Sequence, residues 1–326
     1  MTSESTSDDG ASAPCRADWL RLNWDQLVVP AVFVAILLVF FVMDTKMLSS
    51  ANITNILNQV SILAVVTVGA SFVIFVGGFD LSAGAVVALA GVVAAMVVDQ
   101  TGSLAFGLGA GIGTGALVGI INGVFVGYLN VSPLIVTLGA LNICRGLALI
   151  LADGGAIYSF PASFTEIGTA RLAGIPVLAL IAFAVFFAGA LLLRYTTFGL
   201  NLYATGGNPT AARLSGVAVA RVRVAAFAIS GACCGIAGML LCARTGGGEP
   251  TAGFLYELEA IAAVVLGGAA LSGGEGRLWR SVLGILLLTV LGNGLNIVGV
   301  HPHWKGVFIG AILVIAATLD AVKKRT

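Results

Sequence analysis

The sequence contains very little charge. Asp, Glu, Lys and Arg make up only 10% of its 326 residues, whereas hydrophobic residues make up 59% and the mean hydropathy is +1.06. A soluble domain usually carries about 25% charged residues. The formal net charge of +1 gives no reason to expect a nucleic-acid partner. This composition predicts a chain whose main solvent is lipid rather than water.

Motifs that mark several other protein classes are also missing. No G-x-x-x-x-G-K-[ST] phosphate loop occurs, so the chain shows no nucleotide site of its own. The five cysteines form no C-x-x-C pair, and the only two histidines, His301 and His303, lack further ligands for a metal. We therefore expect no cofactor or metal bound to this chain and no enzymatic activity of its own.

Long apolar stretches dominate the rest of the sequence. A membrane-spanning helix needs about 20 apolar residues, and ten stretches approach that length: 27–43, 54–76, 81–98, 104–129, 133–152, 174–194, 224–243, 256–271, 279–298 and 304–320. The turn at Gly77-Gly78 leaves almost no room for a solvated loop, so one hairpin either spans the membrane or re-enters it. The sequence predicts an all-α polytopic membrane protein with about ten transmembrane helices.

Both ends of the chain are polar, and its basic residues are unevenly placed. Residues 1–26 are rich in Ser, Asp and Thr, which predicts a disordered tail. Lys and Arg accumulate in cytoplasmic loops, and with the N-terminus inside only four fall outside: Lys46, Arg171, Arg244 and Lys305. We expect a transmembrane domain over 27–320, with both tails (1–26 and 321–326) and the loop 195–222 in the cytoplasm.

The segment 77–85 places an acid between two apolar runs. A carboxylate at membrane depth costs about 2.5 to 3.5 kcal/mol on insertion scales, so Asp80 should face protein or water. Asp80 can cap a helix that begins near Leu81, or it can lie with Ser82 on a translocation path, and the two interpretations are compatible. Other intramembrane polar residues are candidates for that path or for hydrogen bonds between helices: Asn122, Thr137, Asn142, Arg145, Asn293 and Asn296. Arg145 needs a partner or a wet cavity.

The loop 195–222 contains one complete short-helix signature. Asn208 is a typical cap, Pro209 suits the first helical position, and Gly216 lies just past the end. A defined helix in a loop suggests a docking surface. The alternative is a basic loop that only sets the topology.

Two further patterns carry less information. Glu257 and Glu259 lie two positions apart, so they point to different faces of a helix and form a poor pair for acid–base chemistry. The pattern G-G-x-x-L-S-x-G occurs at 77–84 and again at 267–274. The helices flanking the two copies align poorly, which argues against a shared origin.

These segments, in this order, resemble the permease subunits of ribose, xylose and galactose type ABC importers, in a superfamily that also holds branched-chain amino acid permeases. The resemblance covers about residues 30–320. Ala83 stands where Val is commoner and Glu259 where Asp is usual, and both changes are conservative. The motifs are specific as a set: 77–84 (GGFDLSAG), 137–139 (TLG) with 145–146 (RG), 197–199 (TFG), 203–208 (YATGGN), 211–216 (AARLSG) and 256–268 (YELEAIAAVVLGG).

The resemblance implies a homodimeric pore in the bacterial cytoplasmic (inner) membrane, with the surrounding lipid as solvent. It also implies a cytoplasmic ABC ATPase that binds ATP and magnesium, and an extracytoplasmic sugar-binding protein. Transport would carry a pentose or hexose inward by alternating access. The loop 195–222 would hold the coupling helix, which docks on the ATPase through Gly207, Asn208, Ala211, Ala212, Arg213, Leu214 and Gly216.

The residues alone leave other functions open. A stand-alone secondary transporter or channel usually needs ion-coupling acids in the membrane, and Asp80 is the only well-placed candidate. A membrane-embedded enzyme is disfavoured because no nucleophile–base arrangement is visible. Branched-chain amino acids and nucleosides are alternative solutes, because in importers of this kind the external binding protein largely selects the solute.

Overall fold

The structure is a computed structural model that describes residues 16–301, 304, 306–311, 314 and 318. Two short 3-10 helices, Thr45–Leu48 and Glu166–Gly168, and a small antiparallel sheet of β1 (Arg171–Leu172) and β2 (Ile175–Pro176) accompany the α-helices. The α-helices are α1 (Arg16–Met43), α2 (Ser50–Phe75), α3 (Ala83–Thr101), α4 (Leu104–Gly127), α5 (Pro133–Leu151), α6 (Ala162–Thr165), α7 (Val177–Tyr195), α8 (Thr197–Gly207), α9 (Pro209–Leu214), α10 (Val219–Thr245), α11 (Tyr256–Leu266) and α12 (Leu278–Ile297).

Seven of the described helices are long and apolar enough to cross a membrane: α2, α3, α4, α5, α7, α10 and α12. The predicted all-α polytopic fold is confirmed, whereas the predicted count of about ten transmembrane helices is not. The apolar part of α1, Pro30–Met43, is shorter than a span. Helix α11 has only 11 residues, because Gly267 and Gly268 follow it and Gly268 adopts φ +80°. The tenth predicted stretch, 304–320, lies largely outside the described residues.

Helix α1 begins earlier than the sequence analysis expected. Residues 16–26 were predicted to belong to a disordered tail, but they are the first part of α1. No Pro or Gly occurs between Arg16 and Pro30 to end a helix, so the helix continues from the apolar run back into the polar segment. Residues 1–15 and 321–326, like His303, lie outside the described residues.

Glycines allow α4 and α10 to pack with their backbones in contact. Gly107, Gly111, Gly115 and Gly119 recur every four residues on the buried face of α4. A methyl group at Gly115 would collide with the backbone of Gly231 on α10, whereas Gly113 has open space beside it. Small residues that permit such close approach are typical of helix pairs in lipid.

The spanning helices divide into an inner and an outer group. In α2 and α3 more than 70% of the spanning window is buried, whereas in α4, α5 and α7 about a fifth is. The exposed side chains of the outer group are large and apolar, as in Ile135, Ile150 and Phe183. The outer group therefore forms the surface available to lipid or to another chain.

Two non-helical segments lie within this bundle. The first, 76–82, joins α2 to α3 and buries Gly78, Asp80 and Ser82. The second, 246–255, joins α10 to α11 and runs beside the first half of α3, where backbone meets backbone at Gly84 and Gly253. Non-helical backbone inside a membrane protein is tolerated only where protein or water covers it. Both segments meet near the beginning of α3, which is where the candidate site lies.

Candidate functional site

Asp80 lies at the centre of a buried hydrogen-bond network. Its Oδ1 accepts bonds from the backbone N–H of Ser82 at 3.0 Å and from the Ser82 hydroxyl at 2.6 Å. Its Oδ2 accepts a bond from the hydroxyl of Ser230 on α10 at 2.9 Å. Asn122 on α4 donates to Ser82 Oγ at 3.1 Å. The network connects the segment 76–82 to two neighbouring helices.

This arrangement refines the two interpretations of Asp80. Helix α3 begins at Ala83 rather than near Leu81, and its cap residue, Ser82, makes no side-chain capping bond. Asp80 therefore fixes Ser82, the residue before α3, and does not cap the first turn of that helix. The side chain is only 4% exposed, and hydroxyl and backbone donors supply the partners that a carboxylate at this depth requires.

Thr137, near the beginning of α5, joins the same region. Its hydroxyl donates to the carbonyl oxygen of Pro133 at 2.9 Å and approaches that of Phe79 at 3.4 Å. Thr137 is completely buried. Three of the predicted path residues, Ser82, Asn122 and Thr137, are therefore brought together around Asp80.

Arg145, two turns further along α5, braces the second non-helical segment. Its Nη1 donates to the carbonyl oxygens of Pro250 at 2.9 Å and Ala252 at 2.7 Å. The terminal NH2 group of a guanidinium carries two N–H donors, one for each of these carbonyl groups. The partner that the sequence analysis required for Arg145 is thus backbone, supplied by the segment 246–255.

Glu257 is a residue whose position the sequence analysis missed. Its carboxylate lies against Gly84 at the beginning of α3, its Oε2 is buried without a hydrogen-bond partner, and its negative charge acts on Arg145. It was set aside because it pairs poorly with Glu259. The signal in the sequence was an acidic residue in the first turn of an otherwise apolar helix. A negative charge at that position stabilises the helix through its dipole and needs no catalytic role.

Asn293, Asn142 and Asn296 do not join this cluster. Asn293 on α12 exchanges two amide hydrogen bonds with Asn52 on α2, at 2.9 and 3.0 Å. Asn52 lies at the opposite end of α2 from Asp80, about 35 Å along the helix from Phe75. Asn142 donates to Leu138 one turn earlier on α5, and both Asn142 and Asn296 are exposed.

The predicted short helix in the loop 195–222 is confirmed. The side chain of Asn208 accepts bonds from the N–H groups of Thr210 at 3.1 Å and Ala211 at 3.0 Å, Pro209 is the first helical residue, and Gly216 adopts φ +87°. Leu214 is 86% exposed. An exposed leucine on a capped surface helix is a suitable contact for another protein.

One residue of the predicted docking surface points the other way. Ala212 is 5% exposed, and its carbonyl accepts a bond from Val217 as the chain turns back. In so short a helix, one face must pack against the protein for the helix to form. Thr210, Ala211, Arg213 and Leu214 are the exposed residues of α9, whereas Ala212 belongs to its inner face.

Helix α8 connects α9 to the end of α2. Gly206 lies against the carbonyl of Phe75, and the rings of Phe75 and Tyr203 stack with centroids 5.4 Å apart. Tyr203 donates to the carbonyl of Gly276 at 3.1 Å. Burial raises the pKa of the Tyr203 phenol, although the charge of Arg277 opposes the rise. The phenol therefore remains a donor, and α8 is fixed against the residue that precedes the segment 76–82.

Comparison with known proteins identifies the family. Residues 52–317 match the model of a family described as the permease component of a branched-chain amino acid transport system. The chain belongs to this permease family. It is 37% identical to the L-arabinose transport system permease protein of Escherichia coli K12 over 325 residues, which cover 100% of this chain and 98% of that protein.

Other members of the permease family are similarly close. The ribose import permease protein of Bacillus subtilis is 40% identical over 295 residues, 90% of this chain and 91% of that protein. The galactose/methyl galactoside import permease protein of Salmonella typhimurium is 36% identical over 314 residues, 90% and 93% of the two chains. No solved structure was found to match the chain.

Proposed function

We propose that this chain is the membrane permease of a binding-protein-dependent ABC importer that moves a small sugar, a pentose or a hexose, into the cell. The observation that carries the proposal is similarity along nearly the whole chain to permeases named for arabinose, ribose and galactose. The family description names branched-chain amino acids, but the relatives at 36–40% identity favour a sugar over an amino acid or a nucleoside.

The proposed partners follow from this role. An external sugar-binding protein delivers the solute, and a cytoplasmic ABC ATPase binds ATP and magnesium, while this chain binds no cofactor and catalyses no reaction. A second copy of the chain completes the pore. The large apolar faces of α4, α5 and α7 support an assembly of this kind in the bacterial inner membrane, because they provide surface for both a partner helix and lipid.

The contacts of α9 suggest how ATP hydrolysis acts on the pathway. The ATPase binds the exposed face of α9, and α9 continues into α8, whose Gly206 and Tyr203 hold Phe75. The segment 76–82 follows Phe75 directly and carries Asp80. A displacement of α9 therefore reaches the polar cluster through one continuous series of packed residues, as an ATP-driven change between inward and outward access requires.

Transport by the reconstituted importer tests the proposal. The chain is placed in proteoliposomes with the ATPase and binding protein encoded with it, and uptake of labelled arabinose, ribose, galactose, leucine and adenosine is measured. We expect ATP-dependent uptake of one of the sugars. Uptake by the chain without an ATPase would indicate a secondary transporter or channel, and uptake of leucine or adenosine alone would refute the sugar assignment.

The proposed orientation, with both termini and the loop 195–222 in the cytoplasm, has a separate test. Thr210 is exposed on α9, so Thr210→Cys, combined with Cys15→Ser, provides a single label site. The other native cysteines, Cys144, Cys233, Cys234 and Cys242, are buried. A membrane-impermeant thiol reagent should label this variant in inverted vesicles and not in intact cells. Labelling in intact cells would reverse the proposed topology.

A further inference from the structure

A cavity of about 150 Å³ lies beside the candidate site, at the end of the helix bundle where α2 ends and α10 begins. The connection between α4 and α5 closes its third side. The cavity contains no acidic side chain, and its lining residues are Val76, Gly77, Gly78, Val126, Asn130, Val131, Ser132, Pro133, Arg223 and Phe227.

Arg223 gives this cavity its charge. It lies in the second turn of α10 and is half-buried. Among the described residues, its guanidinium makes no hydrogen bond and no ion pair, and the charge that acts on it, that of Arg213 on α9, has the same sign. Because Arg223 is half-exposed, its N–H groups are accessible to a ligand in the cavity. An anion in the cavity would supply the missing partner.

The other polar groups of the cavity are able to donate. Asn130, which adopts φ +53°, brings an amide, and Ser132 brings a hydroxyl that makes no capping bond to α5. In the first turn of α5, Pro133 has no N–H group and the N–H groups of Ile135 and Val136 donate to the carbonyl of Ser132, so this helix end contributes its dipole, which favours a negative charge. Together with Arg223, these groups match the several acceptor oxygens of a phosphate.

The surroundings of the cavity match a lipid rather than a free ion. Tyr128 is 55% exposed, Leu129 61% and Leu134 48%, and these three residues flank the lining residues Asn130–Pro133 along the chain. Tyrosine is enriched where hydrocarbon meets headgroups, and exposed leucines in the connection (Leu129) and at the beginning of a spanning helix (Leu134) offer apolar surface to acyl chains. Basic pockets between helices at this depth are suited to anionic headgroups.

We infer that the cavity around Arg223 binds the phosphate of an anionic phospholipid whose acyl chains lie along the exposed surface of Tyr128, Leu129 and Leu134. The bound headgroup touches the backbone of Gly77 and Gly78, which begins the segment carrying Asp80. Occupancy should therefore stabilise that segment in the conformation described above.

Lipid titration of the purified full-length chain tests this inference. Delipidated protein is titrated with short-chain phosphatidylglycerol, with phosphatidylcholine of the same chain length, or with inorganic phosphate. Thermal unfolding and native mass spectrometry report binding. We expect phosphatidylglycerol to raise the unfolding midpoint and the other two to have little effect. Because a charge-assisted hydrogen bond is lost, Arg223→Gln should weaken phosphatidylglycerol binding about tenfold or more.

Two variants make the result unambiguous. Arg194, at the end of α7, rests over the ring of Tyr195 and does not line the cavity, so Arg194→Gln should bind phosphatidylglycerol normally. Ser132→Ala should weaken binding severalfold and provides a second reading if Arg223→Gln folds poorly. If inorganic phosphate stabilised the protein as much as phosphatidylglycerol does, the ligand of the cavity would be a free anion and not a lipid. Unchanged binding in both Arg223→Gln and Ser132→Ala would refute the site, as would an equal loss in Arg194→Gln.

Discussion

Gly206, the last residue but one of α8, lies against the backbone carbonyl of Phe75, the last residue of α2. A Cβ atom at position 206 would collide with that carbonyl and with the N–H of Gly274. Only glycine allows the loop that carries α9 to rest on the end of α2. This contact joins α8, and with it the docking helix α9, to the end of α2.

We predict that Gly206→Ala separates α8 from α2 and strongly reduces ATP-driven uptake. Because α9 itself is unchanged, the ATPase should still co-purify with the variant. Gly109→Ala is a suitable control, since Gly109 has open space beside it on α4. Normal uptake by Gly206→Ala would show that the α8–α2 contact does not transmit a displacement of α9 to the cluster around Asp80.

A second prediction concerns the network around Asp80. Asp80→Ala leaves three donors without their acceptor, two from Ser82 and one from Ser230, and an unsatisfied buried donor costs about 1–3 kcal/mol. We expect lower thermal stability together with lost uptake. Asp80→Asn keeps one acceptor oxygen and should recover part of the stability. If Asp80→Ala were as stable as the parent chain, the network would not be a structural element.

Ser230→Ala separates the contributions of the two carboxylate oxygens in that network. It removes the single bond to Oδ2 and leaves both bonds to Oδ1. We expect a smaller loss of stability than in Asp80→Ala, of about 1 kcal/mol. Denaturation of the purified variants in one detergent provides the comparison.

Arg145 should matter through the backbone that it holds. Arg145→Gln removes the two bonds to Pro250 and Ala252 and leaves the segment 246–255 less constrained, so uptake should fall. Arg145→Lys keeps the charge but replaces the planar guanidinium with an ammonium group on a different stem, and it should recover only part of the activity. Ile143→Ala is the control, because Ile143 lies two residues earlier and is 63% exposed. Hydrogen exchange at 246–255 should rise in Arg145→Gln, and unchanged exchange would contradict the bracing role.

The outer face of α9 provides a prediction about ATPase binding. Leu214→Asp places a charge on the exposed face, and Arg213→Glu reverses one, so both should reduce co-purification of the ATPase and solute-stimulated ATP hydrolysis. Ala212→Asp should instead impair folding, because Ala212 faces inward. Leu200→Asp, at an exposed leucine of α8, is the matched control. If Leu214→Asp and Arg213→Glu both bind the ATPase normally, the loop is only a topological anchor.

Helix packing provides the most direct structural test. Gly115→Ala forces a methyl group into the backbone of Gly231, whereas Gly113→Ala adds one to open space on the same helix. Overpacking costs about 1–3 kcal/mol. The unfolding midpoint should fall in Gly115→Ala and stay near the parent value in Gly113→Ala, and equal midpoints would contradict the observed α4–α10 contact.

Local patterns in the sequence predicted much of this structure. Apolar runs predicted the positions of the spanning helices, and the order of Asn208, Pro209 and Gly216 predicted α9, because capping depends on neighbouring residues. The sequence also identified Asp80 and Ser82 as a pair. Each of these features is determined within a few residues of chain.

The partners that complete the site come from distant parts of the chain. Ser230 lies 150 positions from Asp80 and Pro250 lies 105 positions from Arg145. No local pattern specifies such pairs, since they depend on how the helices pack. For the same reason, the inward direction of Ala212 could not be predicted, and neither could the contact between Glu257 and Gly84.

The paired amides of Asn52 and Asn293 have a mechanical consequence. They fasten one end of α2 to α12 by two reciprocal hydrogen bonds, while the other end of α2 is held at Phe75 and then gives way to non-helical chain. Helix α2 is also buried along most of its length, so it cannot bend or tilt freely. A displacement at Phe75 therefore passes to the non-helical residues that follow, next to Asp80.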